Sequence, residues 1–430
     1  MINSKNNILI LGSGGREHAL AKKISSSNNI YKTFVCPGNG GISNAKLNIF
    51  NVNIDLSNLD DLISFVSTEN IDLTIVGPEQ PLVDGIVDKF KKKGLNIFGP
   101  SKNASRIEGS KIWAYKLMKK YNIPCPKSEV FEKSELAQNY ARNFNPNDLV
   151  LKADGLAGGK GVFLPKTEDE INKTIEAIIE KKIFGSHNSK LLISDRIFGP
   201  EVSVFAFVDG DNSSELAAVC DYKRIFENDK GPNTGGVGAY SPPEFWDKKL
   251  EDKIKDEILY PTINALALEN SSYSGLLYIG IMVTKTGPQV IEYNCRFGDP
   301  ETQILMSKLD SDLFEICMDI SKNHFDPNKV VWNNKNFCFV MMTADGYPGD
   351  YETGKLISGL ENARDYNIIH SGTKKVDKKI FTNGGRVIGV VGEGSSMEEA
   401  IKHSYKGIKK ISFKNSFYRK DIGKRAINDK

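Results

Sequence analysis

The clearest chemical signal in the chain is a glycine-rich segment with two lysines, Lys152-Ala153-Asp154-Gly155-Leu156-Ala157-Gly158-Gly159-Lys160-Gly161-Val162. The residues on either side of its centre predict two antiparallel strands. Four glycines in eleven residues make a flexible cover whose backbone N–H groups can fold over phosphate oxygens, and Lys152 and Lys160 add charge. No Ser or Thr follows a terminal Gly-Lys, so this is not the Walker pattern. An ordinary hairpin loop is the alternative, but it needs neither both lysines nor so many glycines.

A second candidate site lies in the strand-like segment Ile291–Glu301. Alternate residues of a strand share a face, so Glu292 and Asn294 point the same way. Their oxygens suit Mg²⁺ (or Mn²⁺), which completes its shell with phosphate and water. Arg296 extends this face and can hold a carboxylate or a transferring phosphoryl group. A solvated polar edge strand is the alternative, and the apolar run Gly275–Val283 disfavours it because it predicts a buried sheet.

Several other turns could bind anions. Gly12–Glu17 has Glu17 where the dinucleotide fingerprint needs its third glycine, so it indicates only a glycine turn at a helix start, which favours an anion. The turn Pro37–Gly41 strengthens a phosphate interpretation, and a glycine-proline corner places Glu79 at the same sheet edge. Lys230–Tyr240 is a further glycine-rich loop of the kind that often lies at a ligand. A plain structural turn is the alternative for each of these segments.

The elements that must position these residues alternate between strands and helices over the first hundred residues. This alternation predicts a parallel α/β sheet covered on both faces, with ligands beyond the carboxyl ends of its strands. Strands are expected at Ile8–Leu11, Thr33–Cys36, Leu73–Val76, Asn96–Phe98, Val202–Val208, Phe337–Met342 and Arg386–Val391, and helices at Glu17–Ile24, Val83–Phe90, Ser110–Tyr121 and Ser396–Ile411. A strand-rich segment begins past about residue 330.

Composition restricts the class of protein. The chain has 430 residues, with 57 Lys+Arg against 54 Asp+Glu, which suggests two to four domains and no general attraction to nucleic acid or membrane. A basic stretch over residues 402–430 has few aromatics to stack on bases, so a solvated face is expected there. The six cysteines are far apart and the start lacks a signal peptide's apolar core, which predicts a cytoplasmic protein. Of the histidines, only His18 invites mutation, and no residue pairing indicates a covalent mechanism.

These motifs resemble the phosphoribosylamine–glycine ligase (glycinamide ribonucleotide synthetase) family. The similarity extends in order along essentially the whole chain. It rests on the opening Gly-turn with Arg-Glu-His, Pro-Gly-Asn, Gly-Pro-Glu-x-Pro-Leu, Glu-Gly-Ser-Lys, the lysine-bearing glycine segment, Gly-Pro-Asn-Thr-Gly-Gly-x-Gly-Ala-Tyr-Ser-Pro, Glu-x-Asn-Cys-Arg-Phe-Gly-Asp-Pro-Glu, Thr382–Val387 and Arg419–Gly423.

The resemblance implies an ATP-grasp fold with four parts. These are an N-terminal parallel, Rossmann-like α/β domain (1–105), a central ATP-grasp domain (106–125 and 195–328), a small mobile lid (126–194) and a strand-rich C-terminal domain (329–430). It implies a monomeric, ATP-dependent ligase of de novo purine synthesis that joins glycine to 5-phosphoribosylamine through glycyl phosphate, with no nucleic-acid or membrane partner.

The resemblance also implies roles for individual residues. Arg296 and Lys152 are the expected catalytic residues, and Glu292 and Asn294 the metal ligands. The expected ATP-binding residues are Lys111, Lys152, Asp154, Gly155, Gly158, Gly159, Lys160, Gly161, Ser194, Asp195, Arg196, Ile197 and Glu201. The expected substrate-binding residues are Gly14, Gly15, Arg16, Glu17, Gly38, Asn39, Glu79, Asn233, Thr234, Gly235, Arg296, Gly298, Asp299 and Pro300.

One departure concerns the hinge after Ile193, where the family usually carries two glutamates and this chain has Ser194 and Asp195. Adenine recognition is then expected from the backbone of Arg196 and Ile197, with Glu201 at the ribose. The rival functions are another ATP-grasp ligase or carboxylase, a nicotinamide oxidoreductase and a nucleic-acid binder that uses the basic tail.

Overall fold

The computed structural model describes residues 5–43, 47–185 and 189–428. Its first part is a five-stranded, all-parallel sheet in the order β3-β2-β1-β4-β5, which confirms the predicted α/β sheet. The strands are β1 (Asn6–Gly12), β2 (Ile30–Pro37), β3 (Ile49–Asn51), β4 (Ile71–Val76) and β5 (Ile97–Phe98). Because the strand order reverses between β1 and β4, the turns after these two strands border the crevice where such sheets bind ligands.

Four helices accompany this sheet, and one of them differs from the prediction. They are α1 (Gly15–Ser25), α2 (Leu59–Thr68), α3 (Glu79–Val83) and α4 (Ile86–Lys92). The single helix expected over Val83–Phe90 is broken, because Gly85 adopts φ +83°, a left-handed conformation that interrupts a right-handed helix. Ile86, Val87 and Phe90 after the break are buried, whereas Val83 before it is half-buried.

A small antiparallel sheet follows, in the order β6-β9-β7-β8. It is preceded by α5 (Arg106–Gly109) and α6 (Lys111–Lys120), and consists of β6 (Ser128–Phe131), β7 (Leu149–Ala153), β8 (Val162–Phe163) and β9 (Leu191–Asp195), with α7 (Ser134–Ala141) and α8 (Glu168–Ile175). Leu151 pairs with Phe163 and Lys152 with Val162, so the glycine-rich segment joins two antiparallel strands as predicted.

The rest of the chain is organised around a nine-stranded sheet, in the order β17-β16-β10-β12-β15-β18-β22-β19 with β11 paired to β10. Its strands are β10 (Glu201–Asp209), β11 (Asn212–Ser213), β12 (Ala217–Asp221), β15 (Gly238–Ser241), β16 (Ser274–Thr284), β17 (Gly287–Asn294), β18 (Asn336–Thr343), β19 (Asn367–His370) and β22 (Arg386–Gly394). Two hairpins lie beside it, β13 (Arg224–Phe226) with β14 (Lys230–Asn233) and β20 (Thr373–Val376) with β21 (Lys379–Thr382). Because β15 pairs with β18, the central and C-terminal strands form one continuous sheet. The domain boundaries given above stay a prediction.

The helices of this part complete the core. They are α9 (Lys248–Ile254), α10 (Tyr260–Leu268), α11 (Glu301–Lys308), α12 (Leu313–Ser321), α13 (Met397–Ile408) and α14 (Arg425–Asn428). Over the described ranges, no helix is long and apolar enough to cross a membrane.

The basic C-terminal stretch is not simply a solvated face. Arg419 is 1% exposed, lies over the Tyr222 ring and pairs with Asp229 and Asp421. Residues 429–430 of the stretch lie outside the described residues.

Candidate active site

A cleft between α6, the small sheet and β17, called here the lysine-rich cleft, is lined by several predicted nucleotide-binding and metal-binding residues. Lys111, Lys152, Glu292, Asn294 and Arg296 all line it. Residues from three segments that are distant in sequence therefore converge, because α6, β7 and the end of β17 border the same space. This convergence brings the expected phosphate-binding lysines next to the expected metal ligands.

The two lysines of this cleft are held in place and partly desolvated. Lys152 Nζ donates to the Ile291 carbonyl at 2.8 Å, and Lys111 Nζ donates to the Gly155 carbonyl at 2.7 Å. Burial lowers the pKa of both ammonium groups, an effect that the Glu292 carboxylate opposes. Since burial disfavours their charge, an anionic ligand that restores it is bound favourably.

The glycine-rich cover is tethered to the start of α6. Asp154 accepts hydrogen bonds from Ser110 Oγ (2.9 Å) and from the Ile112 N–H (3.2 Å). Gly161 lines the cleft, whereas Gly158 and Lys160 are exposed. Asp154 thus anchors the cover, and its carboxylate is already engaged by α6.

The hinge residues are placed less uniformly. Ser194 lines the cleft, and its Oγ accepts a hydrogen bond from Ser128 Oγ at 2.7 Å. The Arg196 N–H donates to the Asp148 carbonyl at 2.7 Å, and its guanidinium lies over the Phe198 ring. Glu201 pairs with Lys223. Asp195, Arg196, Ile197 and Glu201 are not among the residues that line this cleft.

Arg296 is the centre of a buried ion-pair network. Its Nη2 lies 3.0 Å from Glu108 Oε1 and donates to Asn294 Oδ1 at 3.1 Å, and its Nε lies 3.3 Å from Glu79 Oε2. Burial opposes the charge of Glu79, but Arg296 and Arg16 together hold its pKa below the ordinary value. Glu79 therefore stays ionised between two guanidinium groups.

A second cleft of about 500 Å³, called here the glycine-turn cleft, lies beyond the ends of β1 and β4. Gly14, Arg16, Glu17 and Asp299 are among the residues that line it. The Glu17 carboxylate accepts from the Gly14 N–H and from Arg16 Nε, both at 2.6 Å. Glu17 therefore fixes the glycine turn and the direction of Arg16.

Two other predicted substrate residues also support this turn. Asn39 Nδ2 donates to the carbonyls of Ser13 (2.9 Å) and His370 (3.0 Å), which joins the first turn to the C-terminal segment. Gly15 lies beneath the turn, where an added Cβ would meet Ser371 Oγ at 2.4 Å. Asn39 and Gly15 therefore support the turn but are not among the residues that line the cleft.

Two residues that sequence reasoning left without a role organise the site. Glu108 accepts the Cys295 N–H at 2.8 Å as well as pairing with Arg296. Arg386 pairs with Asp299 Oδ2 at 3.2 Å and donates to the Gly235 carbonyl at 2.7 Å. Glu108 stands in the Glu-Gly-Ser-Lys motif and Arg386 in the segment Thr382–Val387. The motifs alone do not show which residues these two side chains contact.

The remaining predicted residues surround this second network. Burial opposes the charge of Asp299, but Arg386 and Arg16 hold its pKa below the ordinary value. Thr234 Oγ1 donates to the Lys223 carbonyl at 2.8 Å, and Pro300 packs where a Cβ on Gly236 would lie. Three predicted positions remain. Gly38 lies against Asn51, and Gly298 lies against Glu301. Asn233 is exposed.

Comparison with family models covers most of the chain. The N domain of phosphoribosylglycinamide synthetase matches residues 6–108, its ATP-grasp (A) domain residues 109–302 and its C domain residues 337–425. The chain belongs to the phosphoribosylglycinamide synthetase family. It is therefore an ATP-grasp ligase, as the sequence motifs predicted.

Relatives and solved structures agree with this family. A phosphoribosylamine–glycine ligase of Caldanaerobacter subterraneus is 42% identical over 416 residues, 96% of this chain and 99% of that protein. The crystal structure of phosphoribosylamine–glycine ligase from Thermotoga maritima matches with a TM-score of 0.82 at 31% identity, covering 96% of this chain and 99% of that one. A biotin carboxylase of Campylobacter jejuni matches with a TM-score of 0.72 at 14% identity, covering 98% of this chain and 94% of that one, which shows the fold alone.

Proposed function

We propose that the chain joins glycine to 5-phosphoribosylamine at the expense of ATP, through glycyl phosphate, and releases glycinamide ribonucleotide, ADP and phosphate. The observation that carries the proposal is the border between the two clefts. Glu79 and Arg296 line the lysine-rich cleft, Arg16 lines the glycine-turn cleft, and Glu79 lies within 4.0 Å of both guanidinium groups. A nucleotide in one cleft and a phosphorylated amine in the other would meet at Arg296.

In the first step, a glycine carboxylate oxygen attacks the γ-phosphorus of ATP and the bond to the β–γ bridging oxygen breaks, which leaves ADP. Arg296 would attract the carboxylate through its charge and an Nη1 N–H, because Glu108 and Asn294 already engage its Nη2. Lys111 and Lys152 offset the negative charge of the phosphates. Such a step needs orientation and charge stabilisation more than covalent help from the protein, and no enzyme nucleophile is required.

In the second step, the amine of 5-phosphoribosylamine attacks the acyl carbon, phosphate leaves with the bonding electron pair, and the amine loses a proton. The cleft lined by Gly14 and Arg16 would hold the sugar phosphate, near the start of α1, where free N–H groups favour an anion. The glycine-rich cover would keep water from the acyl phosphate, which would otherwise be hydrolysed.

The residues present fit a divalent cation. Glu292 and Asn294 offer a carboxylate and an amide oxygen at the wall of the lysine-rich cleft, and hard cations such as Mg²⁺ or Mn²⁺ prefer oxygen ligands. Because Arg296 donates to Asn294 Oδ1, the oxygen end of this amide is fixed. Across the described ranges, no group of three or more His, Cys, Asp or Glu side chains forms a metal site, so phosphates and water would complete the shell. The ion would neutralise and orient the triphosphate.

An ADP-release assay with freshly generated 5-phosphoribosylamine tests the proposal. We expect ADP only when glycine, the amine and ATP are all present, and one glycinamide ribonucleotide per ADP. Replacing glycine by bicarbonate tests an ATP-grasp carboxylase. ADP formed with bicarbonate and not with glycine would contradict the proposal.

We propose that this activity belongs to a cytoplasmic monomer. Light scattering during size exclusion tests the oligomeric state, and fractionation of cells that produce the chain tests the location.

A further inference from the structure

The strands that carry the expected metal ligands pair irregularly. In the antiparallel pair β16–β17, Gly280 lies opposite Glu292, but the next residue, Ile281, lies opposite Val290. Ile291 is therefore an extra residue in β17, a β-bulge. Bulges re-aim side chains and are frequent beside active sites.

The bulge has a direct consequence for the lysine-rich cleft. The Ile291 carbonyl accepts the hydrogen bond from Lys152 Nζ at 2.8 Å. Glu292, the residue after the bulge, lines the same cleft. The bulge thus helps to position both Lys152 and Glu292, the two side chains that are expected at the triphosphate.

Gly280, on the neighbouring strand, leaves space for this arrangement. A Cβ placed on Gly280 would lie 2.8 Å from Glu292 Cγ and 3.5 Å from Ile291 Cγ1. The first distance is too short for two carbon atoms, and Cγ is the middle of the glutamate side chain, so the whole carboxylate would have to move. A glycine inside a strand often marks a bulge or a close approach of this kind.

We propose that Gly280 is a positioning residue for the metal carboxylate: its missing side chain lets Glu292 lie across β16 with its carboxylate directed at the triphosphate site. This inference rests on the proposed function, because it assigns Glu292 to the metal–nucleotide complex. Gly280 itself contacts neither substrate nor metal. Its effect is exerted entirely through the path of Glu292.

Gly280→Ala tests this inference through binding rather than turnover. Mn²⁺ binding in the presence of ADP, followed by electron paramagnetic resonance, is expected to weaken at least about tenfold, as for other residues that orient metal ligands, while ADP binding without metal changes less than about twofold. Ile279→Val, a buried change at the adjacent position of β16, is the matched control and is expected to alter neither quantity. Unchanged Mn²⁺ affinity in Gly280→Ala would overturn the inference, and so would an equal loss of metal-free ADP binding.

A double-mutant cycle isolates the contact. In a Glu292→Gln background, Gly280→Ala is expected to have little further effect on Mn²⁺ binding, because the carboxylate it acts through is gone. Additive losses would contradict the inference. If Gly280→Ala alone is too unstable to titrate, adding Glu292→Ala removes the Cγ atom and should raise its melting temperature, and no rise would overturn the inference.

The outcome is separable from that of the proposed function. Mn²⁺ and ADP binding do not depend on which acceptor the enzyme uses. A chain that fails the ADP-release assay with glycine can still show the Gly280 effect.

Discussion

A buried histidine pair makes the stability of the chain depend on pH. The backbone N–H of His370 donates to His18 Nδ1 at 2.8 Å, and the two imidazole rings pack edge to face. Burial and the nearby Lys22 charge lower the pKa of His370 from 6.5 to about 4, and burial also lowers the pKa of His18. His370 lies in the segment that accepts the amide of Asn39, so this pair joins the glycine-turn cleft to the C-terminal strands.

The sign and size of the effect follow from the folded and unfolded pKa values. A histidine with a lowered folded pKa binds more protons when unfolded, so its contribution to stability is present above about pH 6.5 and is lost as the pH falls toward about 4. Between about pH 7.5 and about pH 5, the pKa of His370 alone implies a loss of about 2 kcal/mol in the free energy of unfolding. Protonation of His18 would add to this loss.

His370→Gln tests the reasoning, because it keeps hydrogen-bonding atoms and removes the titrating ring. Urea unfolding of both proteins at several pH values is the assay. On going from about pH 7.5 to about pH 5, we expect the free energy of unfolding of the unaltered protein to fall by about 2 kcal/mol more than that of His370→Gln. His324→Gln, at an exposed position, is the control and should follow the unaltered protein. Parallel pH profiles for the unaltered protein and His370→Gln would refute the reasoning.

Three further predictions concern the lysine-rich cleft. Arg296→Ala and Glu292→Ala should each abolish phosphate release while circular dichroism shows a folded chain, because each removes charge where the triphosphate is expected; normal turnover would contradict the site. Glu108→Gln should lower kcat/KM for glycine about 10- to 100-fold, the worth of a hydrogen bond between charged groups, with ADP affinity retained; an equal loss of ADP affinity would argue against a role through Arg296. ADP binding at alkaline pH should take up protons, because burial lowers the pKa of Lys111 and Lys152; calorimetry in buffers of different ionisation enthalpy measures this uptake, and its absence would show that neither lysine meets the phosphates.

The local features of the site follow from the sequence. The cover between β7 and β8 was predictable because its glycines, its lysines and its two flanking strands are contiguous. Glu292 and Asn294 were predictable as a pair because strand alternation fixes their common face. Sequence identified these residues without any long-range information.

The partners across the site did not follow from the sequence. Glu108 meets Arg296 across 188 positions of chain, and Arg386 meets Asp299 across 87, and periodicity carries no information about such pairs. The pairing of β15 with β18 is likewise a long-range property of the sheet. A local pattern can also mislead. The apolar residues around Gly85 follow a helical spacing, but the left-handed conformation of Gly85 interrupts the helix.

The short segment from Glu108 to Ile112 links the two functional halves of the lysine-rich cleft. Glu108 holds Arg296, where the carboxylate is expected, while the start of α6 holds Asp154 at the base of the glycine-rich cover. Lys111, between them, donates to the Gly155 carbonyl of the same cover. The Lys111 ammonium has three N–H donors, so it can donate to a phosphate oxygen while it keeps this bond to the cover. The residue that orients Arg296, the residue that tethers the cover and the lysine expected at the phosphates therefore lie within the five consecutive residues Glu108–Ile112.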